Sequence, residues 1–532
     1  MEHDTEKKYH IGQDNITPFG LDIHNPVFMI SGLSVIAFVL LSLIFKEQAG
    51  AFFGWLRPAI TSTFDWFFLL SANVFVLFCL VLVLSPLGKV RLGGQQARPD
   101  FSYLAWFSML FAAGMGIGLM FFGVSEPMSH FSSSMGGVAV DAASGVRTDW
   151  APLAAAVGDT EAARNLAMAA TIFHWGLHPW AIYAVVGLAL AFFSYNCKLP
   201  LTLRSAFYPL LGDKVWGFWG HVIDILAVFA TLFGLTTSLG FGTTQALSGF
   251  NYLFGWGTGS FATVLLIAVI TAIAISSVVR GLDGGVKILS ELNMALALVL
   301  LTVIILVGPT GDIFSAIFGG GLSYIENLLP LSMPFNRADA NFSQGWTSFY
   351  WAWWISWSPF VGMFIARVSK GRTVREFVLC VVIVPTLLGI VWMGAFGGTA
   401  ISQVIADSAA PVASAAQELK LFVMIAEFPM SGLLSMIGIV LVLVFFITSS
   451  DSGSLVIDSI TAGGKENAPV SQKVFWCSFE GIVAIVLLLV GGSEALTALQ
   501  AMAVSTGLPF TIVLLAMCVS LYMGLKEASA KL

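Results

Sequence analysis

The chain has 532 residues, of which 57% are hydrophobic and only 10% charged, with a formal net charge of −6. Soluble domains carry about 25% charged residues, whereas many windows here run about 20 residues without a charge, long enough to span a bilayer as a helix. The composition is that of a polytopic membrane protein, and with no basic arm or stripe it argues against nucleic acid as a partner.

In chain order, the polar residues 1–25 carry no apolar signal-peptide core and read as a cytoplasmic N-terminal tail. Twelve spans follow, near 26–46, 64–87, 101–123, 165–194, 218–250, 259–279, 287–308, 343–368, 374–397, 429–456, 472–492 and 497–525. Residues 309–342 are apolar but broken by Gly and Pro, and read as a periplasmic amphipathic connector helix. Residues 526–532 are a short cytoplasmic tail. With the N-terminus inside, 18 of the 24 Lys and Arg residues fall in inner loops or termini, so both ends are expected in the cytoplasm. The stretch "SEPMSHFSSSMGGVAVDAASGVRTDW" then becomes an outer loop. The five cysteines show no disulfide or metal spacing, and no nucleophile or metal motif of an enzyme is evident.

Four stretches depart from plain apolar helix. The third span, "FAAGMGIGLMFFGVSEP", holds Gly114, Gly116 and Gly118. Gly114 and Gly118 fit a helix-packing G-x-x-x-G. Three glycines also weaken a helix by about 1 kcal/mol each relative to Ala, so the same run reads as an unwound helix lining a cavity. The fourth span, "FHWGLHPWAIY", sets Trp175, Trp180 and Tyr183 broadly on one side of a helix around Pro179. Its His174 and His178 read as hydrogen-bonded structural residues, with proton carriage as the other reading. The eighth span, "YWAWWISWSPF", packs Trp353, Trp354 and Trp357 beside Pro359, which removes a helical hydrogen bond. The third and eighth spans thus both read as broken helices, five spans apart and opposite in direction, as an inverted repeat requires. Residues 101–308 would form the first repeat, 343–525 the second, and 26–100 two peripheral helices. The tenth span, "FFITSSDSGS", clusters Thr448, Ser449, Ser450 and Ser452. Such hydroxyls either bond back to their own helix or serve as hard ligands for a small cation. Unwound carbonyls at Ala112 and Met115 would complete such a shell.

The segments "GMGIGLMFFGVSEP", "HWGLHPWAIY", "FYWAWWISWSPFVGMFIARVSKGRTVREF" and "FFITSSDSGS" closely resemble the betaine/choline/carnitine transporter family. The resemblance covers spans three to twelve. It implies an all-α polytopic membrane protein with twelve transmembrane helices and a leucine-transporter-like five-plus-five inverted repeat, usually a homotrimer in the bacterial inner membrane. It implies substrates with a quaternary ammonium or sulfonium group. Carried over by motif, the aromatic box is Trp175, Trp180, Tyr183 and Trp354, with Trp353 adjacent and Trp357 on the path. A sodium site maps to the carbonyls of Ala112, Met115 and Phe445 and the hydroxyls of Thr448 and Ser449. A trimethylammonium group donates no hydrogen bond, but ring faces hold it by cation–π attraction. The substrate carboxylate would meet free N–H groups around Gly114–Gly118.

The expected activity is sodium-coupled import of a zwitterionic solute, glycine betaine or dimethylsulfoniopropionate, by alternating access. Sodium ions are the coupling ions, and no cofactor or enzymatic activity is expected. Choline-type members tend to carry an acidic residue where Gly118 stands, so a substrate with its own carboxylate fits better. The family's second sodium site pairs two threonines one turn apart. Here Thr231 and Phe360 are kept but Leu235 takes the other place; Thr236 or Thr237 would have to stand in for two ions to bind, which is the expectation. A long basic C-terminal helix, found in osmotically regulated members, is not expected. The alternatives are a sodium-independent or proton-coupled carrier of choline or carnitine, and an onium-binding channel or receptor.

Overall fold

The computed structural model describes residues 9–114, 116–137, 143, 147, 151–280 and 287–531. Nine helical stretches among them are long and apolar enough to cross a membrane. The described chain is otherwise helical apart from one small hairpin, β1 (Asn15–Ile16) with β2 (Ile23–His24). The protein is an all-helical polytopic membrane protein.

Two helices lead, α1 (Asn25–Ile44) and α2 (Lys46–Leu84). The second begins well before the expected span, because a polar and aromatic lead-in continues into it without a helix-breaking conformation at Pro58. The third span is divided into α3 (Tyr103–Gly114) and α4 (Ile117–Met135). Between them Gly116 is fully extended, at φ −165° and ψ −177°. The fourth is likewise divided, into α5 (Thr160–Trp175) and α6 (Leu177–Tyr195). The break falls at Gly176, while Pro179 is the third residue of α6, where a missing N–H costs nothing. Then come α7 (Phe218–Phe254), α8 (Ser260–Arg280), α9 (Lys287–Val307) and the connector α10 (Thr310–Glu326). The connector packs on α5 through Gly320, buries Ile313 and Ala316 as well, and leaves Phe314, Phe318, Leu322 and Ile325 exposed. Its outward face is thus apolar. The second half contains α11 (Ser348–Val368), α12 (Val374–Ala406), α13 (Ser431–Thr461), α14 (Val470–Gly491) and α15 (Ala495–Ser529). A Thr373–Glu376 capping box starts α12, satisfying two otherwise orphaned N–H groups.

Two expectations are corrected. The eighth span is not broken at Pro359: α11 runs through it, and the irregularity is a single π-helical turn ahead of it at Ser343–Thr347. Pro359 cannot donate to the carbonyl of Ile355, but the neighbouring Ser358 hydroxyl does, at 2.7 Å, so the freed acceptor stays satisfied. Nor does the segment from Ser125 open an outer loop. α4 continues to Met135, with Ser125, Glu126 and His130 all buried. Hydropathy marks where a helix faces lipid; a helix enclosed by protein keeps polar residues if they find partners.

The core places α11 against α6, α7 and α15, and α13 against α7. α4 and α5 pack on each other and on α12. The side chains of the candidate site come from α4, α5, α6 and α11.

Candidate functional site

The break at Gly176 leaves the last carbonyls of α5 without helical partners. One of them, on His174, accepts the indole N–H of Trp354 at 2.9 Å. Trp175 points its own N–H elsewhere, to Oε2 of Glu126 at 2.8 Å. Both indoles are thereby anchored by their edges. Trp175 and Trp354 meet edge to face, with centroids 5.0 Å apart. Tyr183 meets Trp354 at 5.8 Å and Trp180 meets Tyr183 at 5.4 Å, again edge to face. The four residues expected to form a box therefore lie side by side, three from α5 and α6 across the Gly176 break and one from α11, remote in sequence. Trp353 stacks on Trp354 at 5.4 Å. Trp353 and Trp357 donate to the same carbonyl, that of Gly234 on α7, at 3.3 and 2.8 Å. Trp357 meets Phe360 at 5.4 Å rather than the box rings.

The glycines have separate roles. Gly114 ends α3 and Gly116 makes the extended link. No described atom lies within 4 Å of where a Cβ on Gly116 would stand, so the N-terminus of α4 has open space beside it. Gly118 is inside the helix. A Cβ there would lie 2.8 Å from Cη2 of Trp175 and 2.9 Å from Cη2 of Trp353.

In the expected cation region, Ala112 lies in the last turn of α3, and Met115 falls outside the described residues. Phe445, Thr448 and Ser449 lie on α13. The Thr448 hydroxyl donates to Val444 O at 2.9 Å and to Phe445 O at 3.3 Å. Two of the serines that follow face other partners. Ser450 donates to Glu480 on α14 at 2.9 Å, and Ser452 to its neighbour Asp451 at 2.9 Å. At about 100° per residue, adjacent hydroxyls on an intact helix face different neighbours. For the second site, Thr231 donates to Ala227 O at 2.7 Å. Leu235, on the same face of α7, is fully buried with its methyls against Gly453 of α13. Thr236 donates to Phe233 O at 3.2 Å. Thr237 donates to Phe233 O at 2.7 Å and across to Leu499 O of α15 at 2.9 Å.

Sequence reasoning passed over Glu126. Its carboxylate is fully buried and gathers Trp175, Tyr350 (2.5 Å), His174 (2.6 Å) and His130 (3.3 Å). The signal was an ionisable residue beside the glycine-rich segment in a chain so poor in charge, a default functional position in a membrane protein. His174, read as a hydrogen-bonded structural residue, does bond on both sides, to Glu126 and to Thr347 at 2.9 Å. His178 bonds Asn73 at 3.0 Å. A separate cavity of about 590 Å³, lined by Tyr195, Leu201, Arg367, Lys465 and Glu466 among others, is lined by none of the box residues.

Helices broken at Gly116 and Gly176 beside anchored aromatic rings are an arrangement suited to a membrane transporter. Residues 26–530 match the model of the betaine/carnitine/choline family of transporters. The chain is 62% identical over 523 residues to a glycine betaine/proline/choline transporter of Vibrio parahaemolyticus, covering 98% of this chain and 94% of that one. It is 54% identical over 523 residues to glycine betaine transporter 1 of the same organism, covering 97% of each. A glycine betaine transporter of Acinetobacter baylyi is 42% identical over 513 residues, covering 96% of this chain and 74% of that one. The chain belongs to the betaine/carnitine/choline transporter family.

Proposed function

We propose that the protein is a sodium-coupled symporter for a zwitterionic quaternary ammonium or sulfonium solute, glycine betaine or dimethylsulfoniopropionate. It works by alternating access in the bacterial inner membrane, with twelve spans, both termini cytoplasmic, a five-plus-five inverted repeat and a trimeric assembly. The observation that carries the reading is the ring cluster of Trp175, Trp180, Tyr183 and Trp354, in which Trp175 and Trp354 spend their N–H groups on anchors. Ring faces not covered by a neighbouring ring would hold an onium group, at about 2 kcal/mol or more per desolvated contact. The N-terminus of α4 at Gly116–Gly118 supplies N–H groups and a positive helix end for the carboxylate. Sodium would be held by the carbonyls of Ala112, Met115 and Phe445 with the hydroxyls of Thr448 and Ser449. The Ala112 carbonyl belongs to the unpartnered end of α3, which supports that assignment. Thr448 would have to turn from its own helix to the ion.

Trp354→Leu should weaken betaine binding at least tenfold, whereas Trp354→Phe should keep part of it. Wild-type affinity in both, by titration of purified protein, would sink the box. A relative's name includes proline and choline, so uptake in proteoliposomes should be run with betaine, choline, proline and dimethylsulfoniopropionate in competition. Betaine uptake that proceeds at full rate in potassium buffer would remove sodium coupling.

A further inference from the structure

We propose that Glu126 is the positioning residue of the aromatic box: its carboxylate fixes the Trp175 indole and supplies it with negative charge for an onium ligand. The proposal rests on the box reading above and extends it.

Glu126 stands on α4 two turns beyond Gly118, so one helix carries both the close approach to Trp175 and the anchor for it. Four side chains from three helices, α4, α5 and α11, converge on the carboxylate. Oε2 accepts from Trp175 Nε1 at 2.8 Å and from the Tyr350 hydroxyl at 2.5 Å. Oε1 bonds Nδ1 of His174 at 2.6 Å and Nε2 of His130 at 3.3 Å. Tyr350 stacks on His174 at 4.6 Å, and His130 lies edge to face with Trp346 at 4.8 Å. Both oxygens of the carboxylate are therefore held, and the indole nitrogen is bonded to one of them. A hydrogen bond to an ionised acceptor is about twice as strong as a neutral one. It also drives electron density into the indole ring, the side of the interaction that attracts a cation.

Two other roles fit less well. Glu126, His130 and His174 have ligand atoms within 4.8 Å of one another, as a metal site would need. Yet Oε1 and Nδ1 are 2.6 Å apart, a hydrogen-bond distance, closer than two ligands stand around an ion that each binds at about 2.0–2.2 Å. A purely structural acceptor would not need a charge, because a buried carboxylate is costly to desolvate and a glutamine offers an oxygen of the same shape.

The test compares betaine transport by Glu126→Gln, Tyr350→Phe and Trp354→Leu in proteoliposomes, at equal protein content. Glu126→Gln should raise the betaine KM about tenfold and leave Vmax within about twofold. Tyr350→Phe disturbs the same cluster but leaves the Trp175–carboxylate bond, and should stay within about threefold of native KM. An unchanged KM in Glu126→Gln, or a fall in Vmax alone, overturns the proposal when Trp354→Leu still weakens binding. If Trp354→Leu is also without effect, the box reading falls with it. Trp175→Phe reads the same bond from the other side should Glu126→Gln not accumulate. It keeps a ring but removes the N–H, and a native KM there also overturns the proposal.

Discussion

At the residue scale, the site depends on one atom's worth of space. A side chain on Gly118 would meet the far edges of Trp175 and Trp353 within 3 Å. Neither ring can retreat freely, because Trp175 is held by Glu126 and Trp353 by the Gly234 carbonyl. Sequence comparison alone makes Gly118→Asp a route to choline uptake, by adding the missing negative charge. The packing adds a condition, since the new carboxylate must displace a ring to fit. Gly118→Asp should therefore lower betaine uptake tenfold or more while raising the ratio of choline to betaine uptake. Paired uptake of the two labelled solutes checks this; a variant that keeps native betaine affinity would show that the rings yield.

At the scale of elements, the N-terminal hairpin is a docked strap on the loop face. Asn15 donates to Ala462 O at 2.8 Å, and Lys465 pairs with Asp22 at 2.5 Å. His24, at the end of β2, is fully buried and accepts from Nη1 of Arg204 at 3.3 Å. Only a neutral imidazole can accept that bond. Burial, with the Arg204 charge and His221 adding to it, lowers the His24 pKa to about 3. The docked pKa is below the undocked value of about 6.5, so docking is at full strength above that pH and weakens as pH falls through it towards 3. Within that window each pH unit costs about 1.4 kcal/mol. Asp22 behaves differently: burial opposes ionisation, but hydrogen bonds from Lys465 and Asn15 hold its carboxyl below the usual range, so its contribution is lost only in stronger acid. The strap should exchange amide hydrogens faster at pH 5.5 than at pH 7.5, and His24→Gln should flatten the difference. Equal protection at both pH values in the native protein would remove His24 from this role.

For the whole molecule, the number of coupling ions sets how steeply solute can be concentrated. One sodium crossing 100 mV is worth about 2.3 kcal/mol, and a tenfold sodium gradient adds about 1.4 kcal/mol. For a net-neutral solute, one ion sustains about 500-fold accumulation, and two ions about the square of that. The threonines proposed to rescue the second site are both bonded to backbone carbonyls, Thr236 to that of Phe233. Thr237 crosses to Leu499, while Leu235 fills the space against Gly453. We therefore expect one sodium per solute, with a sodium Hill coefficient near one, and a rise towards two in Leu235→Thr. Reversal potentials in proteoliposomes measure the ratio; two ions per solute in the native protein would return the role to Thr236 or Thr237.

Some of this was legible in the chain itself. Membrane class, the order of the apolar helices and the break near Gly116 follow from local composition, because spanning a bilayer and unwinding a helix are properties of short segments. The density of Trp around Trp175 and Trp354 marked the box for the same reason. What tertiary structure decided are contacts between segments remote in sequence. The His174 carbonyl becomes an anchor for Trp354 only because the chain turns at Gly176 under α11. Ser358 keeps α11 whole across Pro359, where counting residues predicts a break. Glu126 was assigned to a loop because hydropathy registers lipid contact, whereas this carboxylate is enclosed by protein and balanced by Trp175, Tyr350, His174 and His130. Only His130 is a local partner, one turn on along α4; Trp175, Tyr350 and His174 arrive from other parts of the chain, so no local pattern encodes that balance.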